Sequence, residues 1–259
     1  MGTDKFTLVL LRHGQSTWNL ENLFTGWHDV PLSPRGVEEA VEAGRLMKEA
    51  RLSPGVLHTS VLVRAIQTAD LALGVMGLTW IPVRRSWRLN ERHYGALQGL
   101  NKAETAAKYG EQKVKVWRRS YDVRPPDLEL SDERHPSHDL RYAGMPPELL
   151  PNAECLKDVV ERMLPYWYDA IVPDLLRHPS VLVSAHGNSL RALVKHLDGL
   201  TDQQVVDLDI PTGVPRVYEL DADFKPVSWR YLGDPGEIER RAAAVRAQGS
   251  VSGSESRNS

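Results

Sequence analysis

Leu8-Val9-Leu10-Leu11-Arg12-His13-Gly14 and Val181-Leu182-Val183-Ser184-Ala185-His186-Gly187-Asn188 together decide the fold. Each opens as a short, uncharged, β-prone run, the pattern of a strand buried on both faces. Each then ends in a histidine followed by glycine. Helical patterns lie between and beyond them. Ser33-Pro34 predicts a helix start, with Val37, Ala40, Val41, Gly44 and Met47 on one face. Residues 56–59 read as a second strand, Ser60 as the N-cap of a helix over residues 61–73, and residues 79–83 as extended again. Residues 156–177 read as a helix interrupted near Pro165 and Pro173, and residues 189–197 as a further helix. Such alternation predicts an α/β fold, a three-layer sandwich whose mostly parallel central sheet is flanked by helices.

The chain has 259 residues, enough for a large core without disulfide or metal support. We expect one domain over residues 1–248, with residues 101–151 as an inserted helical and loop region and 249–259 as a disordered serine- and glycine-rich tail. Residues 101–120 are helical and basic. Residues 124–151 are rich in proline and charge, too long for an ordinary connection, and read as a lid. Lys+Arg 32 against Asp+Glu 34 gives a net charge of −2. This balance argues against nucleic acid or an anionic membrane as partner, while leaving room for a local basic cluster. The lone Cys155 excludes an internal disulfide and a cysteine-based zinc site. The apolar run at residues 8–11 is too short for a signal peptide, and no stretch is long enough to span a bilayer. A cytoplasmic protein is therefore expected.

If the two strands are neighbours, His13 and His186 face one another at the carboxyl edge of the sheet, where α/β folds bind ligands. The glycine after each histidine admits close approach of backbone amides, and the following helix turns its positive end to an anion. Arg12 and Arg64 belong to the same edge. Arg118, Arg119 and Lys102, in the insertion, either meet a second anionic group or form a solvated helix face. Glu91, within Leu89-Asn90-Glu91-Arg92-His93-Tyr94-Gly95, is a candidate for proton transfer or for a salt bridge to Arg88 or Arg92. Phosphate-loop, zinc-helix and nucleophile-elbow motifs are absent. His135 and His138 have a metal-compatible spacing but no evident third ligand.

The motifs Leu11-Arg12-His13-Gly14 and Ala185-His186-Gly187-Asn188 resemble those of the histidine phosphatase superfamily, specifically its cofactor-dependent phosphoglycerate mutases. Phe24-Thr25-Gly26-Trp27, residues 89–102 (LNERHYGALQGLNK), Trp117-Arg118-Arg119 and residues 210–215 (IPTGVP) extend the likeness over residues 8–249. The resemblance implies that His13 is a nucleophile forming phosphohistidine, with Arg12, Arg64 and His186 around the moving phosphoryl group and Glu91 exchanging the proton. It further implies a substrate pocket of Arg12, His13, Gly14, Gln15, Ser16, Asn19, Thr25, Gly26, Arg64, Glu91, Arg92, His93, Tyr94, Lys102, Arg118, Arg119, Gly187 and Asn188. Expected from it are interconversion of 3- and 2-phosphoglycerate, priming by 2,3-bisphosphoglycerate, no metal, phosphoglycerates as partners, and a homodimer or homotetramer. Gln15 departs from the family, which usually has glutamate there. Hydrolysis of small phosphomonoesters, or binding without catalysis, are the alternative activities.

Overall fold

The computed structural model describes residues 5–248; the predicted tail at 249–259 lies outside them. Six strands, β1 (Phe6–Arg12), β2 (Val56–Thr59), β3 (Val83–Arg85), β4 (Ser180–Ala185), β5 (Pro215–Leu220) and β6 (Pro226–Tyr231), form one sheet in the order β3-β2-β4-β1-β5-β6. The pairs β2–β3, β2–β4 and β1–β4 are parallel, while β1–β5 and β5–β6 are antiparallel.

The helices are α1 (Thr17–Leu20), α2 (Pro34–Glu49), α3 (Val63–Met76), α4 (Lys102–Tyr109), α5 (Glu111–Arg119), α6 (Leu156–Tyr166), α7 (Val172–Arg177), α8 (Gly187–Leu197), α9 (Asp202–Val206) and α10 (Pro235–Ala247). The uncharged strands are explained by burial on both faces. Leu8 and Leu10 pack with Val159 and Met163 of α6 and Leu190 and Leu193 of α8. Val9 and Leu11 point oppositely, to Ala43 and Met47 of α2 and Ala69 and Leu73 of α3. The predicted three-layer α/β sandwich is present.

Several local expectations shift. In α2 the buried face is Gly36, Glu39, Ala40, Ala43, Gly44 and Met47, and Val37 is exposed. The stripe is rotated because α2 must lie on both the sheet and α3. Helix α3 starts at Val63 after Leu62, so Ser60 does not cap it through the expected position. The extended piece expected at 79–83 begins only at Val83, where pairing with Leu57 starts. Residues 156–177 form one helical rod, with a π-helical turn at Trp167–Ile171 between α6 and α7. Pro165 lies within α6, and Pro173 lies in the first turn of α7, just past the π-helical turn.

The hairpin of β5 and β6 was not anticipated, although Asp221 carries its turn, accepting from the backbone N–H groups of Asp223 and Lys225. Residues 124–151 contain three short 3₁₀ turns and pack on the outside of residues 89–98. Ala96 N donates to Pro126 O, Arg134 donates to Gln98 O, and the Tyr142 ring lies 4.8 Å from that of Trp27.

Candidate active site

Strands β1 and β4 end side by side, with Arg12 opposite Ala185 and His13 N donating to Ala185 O at 2.9 Å. That register puts the His13 and His186 rings edge to face, centroids 5.0 Å apart. His13 Nδ1 lies 2.7 Å from Gly14 O, and because a carbonyl only accepts, the proton is on Nδ1 and the lone pair on Nε2. Burial, reinforced by the Arg64 and Arg12 guanidiniums, holds His13 well below the usual imidazole range, so the ring is neutral. Glycine is required next: a Cβ on Gly14 would stand 2.3 Å from Gly36 O, where the start of α2 crosses the end of β1.

A cavity opens beside these rings, walled by six cations, Arg12, Arg64, Lys102, Arg118, Arg119 and Arg191, and two carboxylates, Glu91 and Asp209. Four of these cations are held by bonds on the inner side of the wall. Arg12 Nη1 donates to Ile210 O at 2.7 Å. Arg64, from α3, donates to Gly26 O at 2.8 Å and His28 O at 3.0 Å. Gly26 presents that carbonyl from a left-handed conformation, φ 58°, which glycine adopts without strain. Lys102 Nζ donates to Gln248 Oε1 at 3.1 Å, and Arg119 Nη2 to Asp209 Oδ1 at 2.7 Å.

Burial lowers Arg64 and Arg118 to about 10 and Arg191 to about 9, and carries Lys102 well below its usual range. Arg12 Nε and Arg191 Nε are buried with no hydrogen-bond partner among the described residues. Stacked positive charge with unmatched donors is costly unless an anion completes it.

Glu91 faces the same cavity. Its Oε1 accepts from Arg92 N at 2.7 Å and from Asn188 N and Nδ2 at 3.1 and 2.8 Å. The carboxylate is thus oriented by backbone and amide donors, in a place where it can accept or return a proton.

Of the predicted site residues, Arg12, His13, Asn19, Thr25, Gly26, Arg64, Glu91, Tyr94, Lys102, Arg118, Arg119, Gly187 and Asn188 line the cavity. Others stand behind this wall. His186 Nε2 lies 2.7 Å from Ser60 Oγ, and burial, with Arg64 next, lowers its pKa strongly. Gly14 sits beneath His13, and Ser16 caps α1. Gln15 Oε1 accepts from the Ser33 hydroxyl. Arg92 donates to Arg118 O and stacks on Tyr94, and His93 Nδ1 accepts from Gly95 N.

Sequence reasoning missed Arg191, Leu208, Asp209, Ile210, Val245 and Gln248 of the lining. Arg191 was findable, since it stands one helical turn beyond Asn188 and bonds its Oδ1 at 2.9 Å. Among the described residues the lining includes none from 124–151. The part of the insertion that reaches the cavity is Lys102 with the end of α5. His135 and His138 serve local turns, His135 bonding Ser137 Oγ and Asn152 Oδ1, and His138 bonding Leu130 O. No cluster of three metal-ligating side chains occurs among the described residues.

Residues 8–135 match the family described as the histidine phosphatase superfamily, branch 1. A protein of Nitratidesulfovibrio vulgaris (strain Hildenborough), named 2,3-bisphosphoglycerate-dependent phosphoglycerate mutase, is 63% identical over 93% of this chain and 97% of its own length. One of the same name from Thermobifida fusca is 60% identical over 94% of this chain and 99% of its own. Among solved structures, a mycobacterial glucosyl-3-phosphoglycerate phosphatase with VO3 aligns with TM-score 0.65 and 25% identity over 87% of this chain and 97% of that one. The alpha-ribazole phosphatase of Shigella flexneri shares the fold at TM-score 0.65 and 20% identity, over 88% and 96% of the two chains.

Proposed function

Since the chain belongs to the 2,3-bisphosphoglycerate-dependent phosphoglycerate mutases of the histidine phosphatase superfamily, we propose that it interconverts 3-phosphoglycerate and 2-phosphoglycerate through a phosphohistidine at His13. The observation that carries this reading is the buried cavity with six cations and two carboxylates beside a neutral, correctly tautomeric histidine. Six cations exceed what one phosphate requires. They suit a ligand that carries a carboxylate together with one or two phosphoryl groups, and the unpartnered N–H groups of Arg12 and Arg191 fit the same polyanion. When bound, 2,3-bisphosphoglycerate supplies the phosphoryl group that primes His13.

Phosphoryl transfer is mainly positioning and charge stabilisation, and here arginines do what a divalent metal does elsewhere. His13 Nε2 offers its lone pair to phosphorus, and Arg12 and Arg64 neutralise the phosphoryl oxygens. When the phosphoryl group passes from Nε2 to the free hydroxyl of 3-phosphoglycerate, the P–N bond breaks and Nε2 recovers its lone pair. Glu91 takes the hydroxyl proton. The return of the other phosphoryl group to Nε2 reverses these roles, and Glu91 gives the proton back. Lys102, Arg118 and Arg119 hold the distal anionic groups between the two half-reactions.

Small phosphorylated metabolites are thus the partners, and the cytoplasm the compartment; among the described residues no helix is long and apolar enough to cross a membrane. Assembly as a homodimer or homotetramer is supported by edge strand β3, where Val83 and the preceding Trp80 are exposed.

The deciding experiment follows 3-phosphoglycerate in the presence of a chelator, with and without catalytic 2,3-bisphosphoglycerate, while inorganic phosphate is monitored. Conversion to 2-phosphoglycerate, stimulated by the bisphosphate and with little phosphate release, is the expected result. Phosphate release without isomerisation overturns it in favour of a phosphatase.

A further inference from the structure

Glu91 belongs to no strand or helix, so its backbone needs another source of rigidity. The segment runs from a 3₁₀ turn at Trp87–Leu89 to another at Gly95–Leu97. Three of its main-chain carbonyls are met by one buried side chain, Arg162 of α6. Arg162 Nη1 donates to Arg88 O at 2.6 Å, and Nη2 donates to Asn90 O at 2.9 Å and Glu91 O at 3.0 Å. The opposite side of the guanidinium is held by Glu154, with Nε to Oε1 at 2.6 Å and Nη2 to Oε2 at 3.1 Å. Glu154 returns to the same segment, its Oε2 accepting from His93 N and its own N donating to His93 O, both at 2.8 Å. Trp27 Nε1 adds a donor to Glu91 O at 2.6 Å.

Both members of the pair are buried, at 7% and 4% exposure, and among the described residues neither lines the cavity. A buried ion pair is weak evidence of net stabilisation, since removing both charges from water offsets most of their attraction. What this pair does have is direction: Arg162 bonds the backbone up to and including Glu91, and Glu154 bonds it just beyond, at His93. We infer that Arg162 and Glu154 are positioning residues that fix the Glu91 carboxylate for proton transfer. This inference rests on the role proposed for Glu91. The cations that bind substrate are untouched by the clamp, so its loss acts on the chemical step rather than on affinity.

Arg162→Lys, Glu91→Gln and the double variant test this, as full-length chains with thermal unfolding measured alongside. A misplacement near 1 Å can cost about 10²-fold in rate, so Arg162→Lys should lower kcat by about 10- to 100-fold with KM within about twofold. If Arg162 acts through Glu91, the double variant loses no more than about threefold beyond Glu91→Gln. Losses that multiply in the double variant, or an unchanged kcat in Arg162→Lys, overturn the inference. Wild-type kcat in Glu91→Gln overturns instead the proton role on which it rests. Should Arg162→Lys fail to fold, Glu154→Gln, which keeps an acceptor for His93 N, runs the same cycle with the same readings.

Discussion

His13 and His186 stand edge to face, centroids 5.0 Å apart, because β1 and β4 pair in parallel up to Arg12 and Ala185. His13 is oriented by its own neighbour's carbonyl, Gly14 O. His186 is oriented from another strand, through Ser60 Oγ just past the end of β2. The two imidazoles thus depend on three adjacent parallel strands ending at one level.

Ser60→Ala should therefore be a catalytic lesion more than a structural one. The hydroxyl bridges His186 Nε2 and also accepts from Leu62 N at 3.2 Å. Removing it leaves the ring free to tilt, and a lost buried hydrogen bond costs about 1–3 kcal/mol, most of it here in the placement of His186. We expect kcat to fall by roughly 10-fold while Tm drops by only a few degrees. A variant with wild-type kcat would remove Ser60 from any account of the site.

Acid should destabilise the fold before it reaches the carboxylates. Burial lowers His13, His58, His93 and His186, His58 to about 4 and His93 to about 3. A histidine lowered on folding is neutral in the native state and binds its proton in the unfolded state first. Its contribution is complete above the unfolded value near 6.5 and is lost as pH falls through 6.5 toward the folded value. Each such group contributes up to about 1.4 kcal/mol per pH unit in that window. Urea midpoints measured from pH 7.5 to 5 should decline steadily, and His93→Gln should flatten the slope. A midpoint constant across that range would contradict the neutral burial of these rings.

The legible parts of the molecule were those in which one local signal admits one structure. The uncharged runs before His13 and His186 could only be strands covered on both faces, and their shared ending predicted a common edge. Ser60 shows the opposite case. Serine after a strand and before a helix is the ordinary signature of an N-cap, and Ser60 does accept locally from Leu62 N, but its second contact, to His186 Nε2, depends on a tertiary position that no local signal marks. Arg134 and Arg141, in the charge-rich loop that reads as a lid, bond Gln98 O and Asp29, partners far away in sequence that no local pattern marks. Asp209 and Gln248 reach the cavity from positions with no motif around them, through contacts to Arg119 and Lys102 that span a large sequence separation.

Arg118→Ala should weaken substrate binding with little effect on folding. Arg118 lies at the end of α5 and lines the cavity, and the contact it makes with Arg92 uses its backbone carbonyl, which the substitution keeps. A hydrogen bond to a charged group contributes about 1.5–3 kcal/mol, so KM for 3-phosphoglycerate should rise about 10- to 150-fold. Thermal unfolding should remain within about 2 °C of the parent, as for a substitution away from the core. Unchanged KM would remove Arg118 from the anion-binding wall.

Gln15→Glu asks whether the residue that differs from the family pattern matters to this chain. Gln15 N donates to Glu39 Oε2 at 2.8 Å, and its Oε1 accepts from the Ser33 hydroxyl at 2.8 Å. Neither contact reaches the cavity, and a carboxylate can accept from Ser33 as the amide does. The new charge, however, is placed near the buried Glu39, whose Oε1 is bonded to the exposed Arg35. Like charges partly screened at such a site cost of order 1 kcal/mol. We therefore expect a small loss of stability and kcat/KM within about threefold of the parent, read by steady-state kinetics and urea unfolding together. A tenfold change in kcat/KM with unaltered stability would instead mean that this side chain orients the site in solution, and that its exchange for glutamine sets this chain's rate apart.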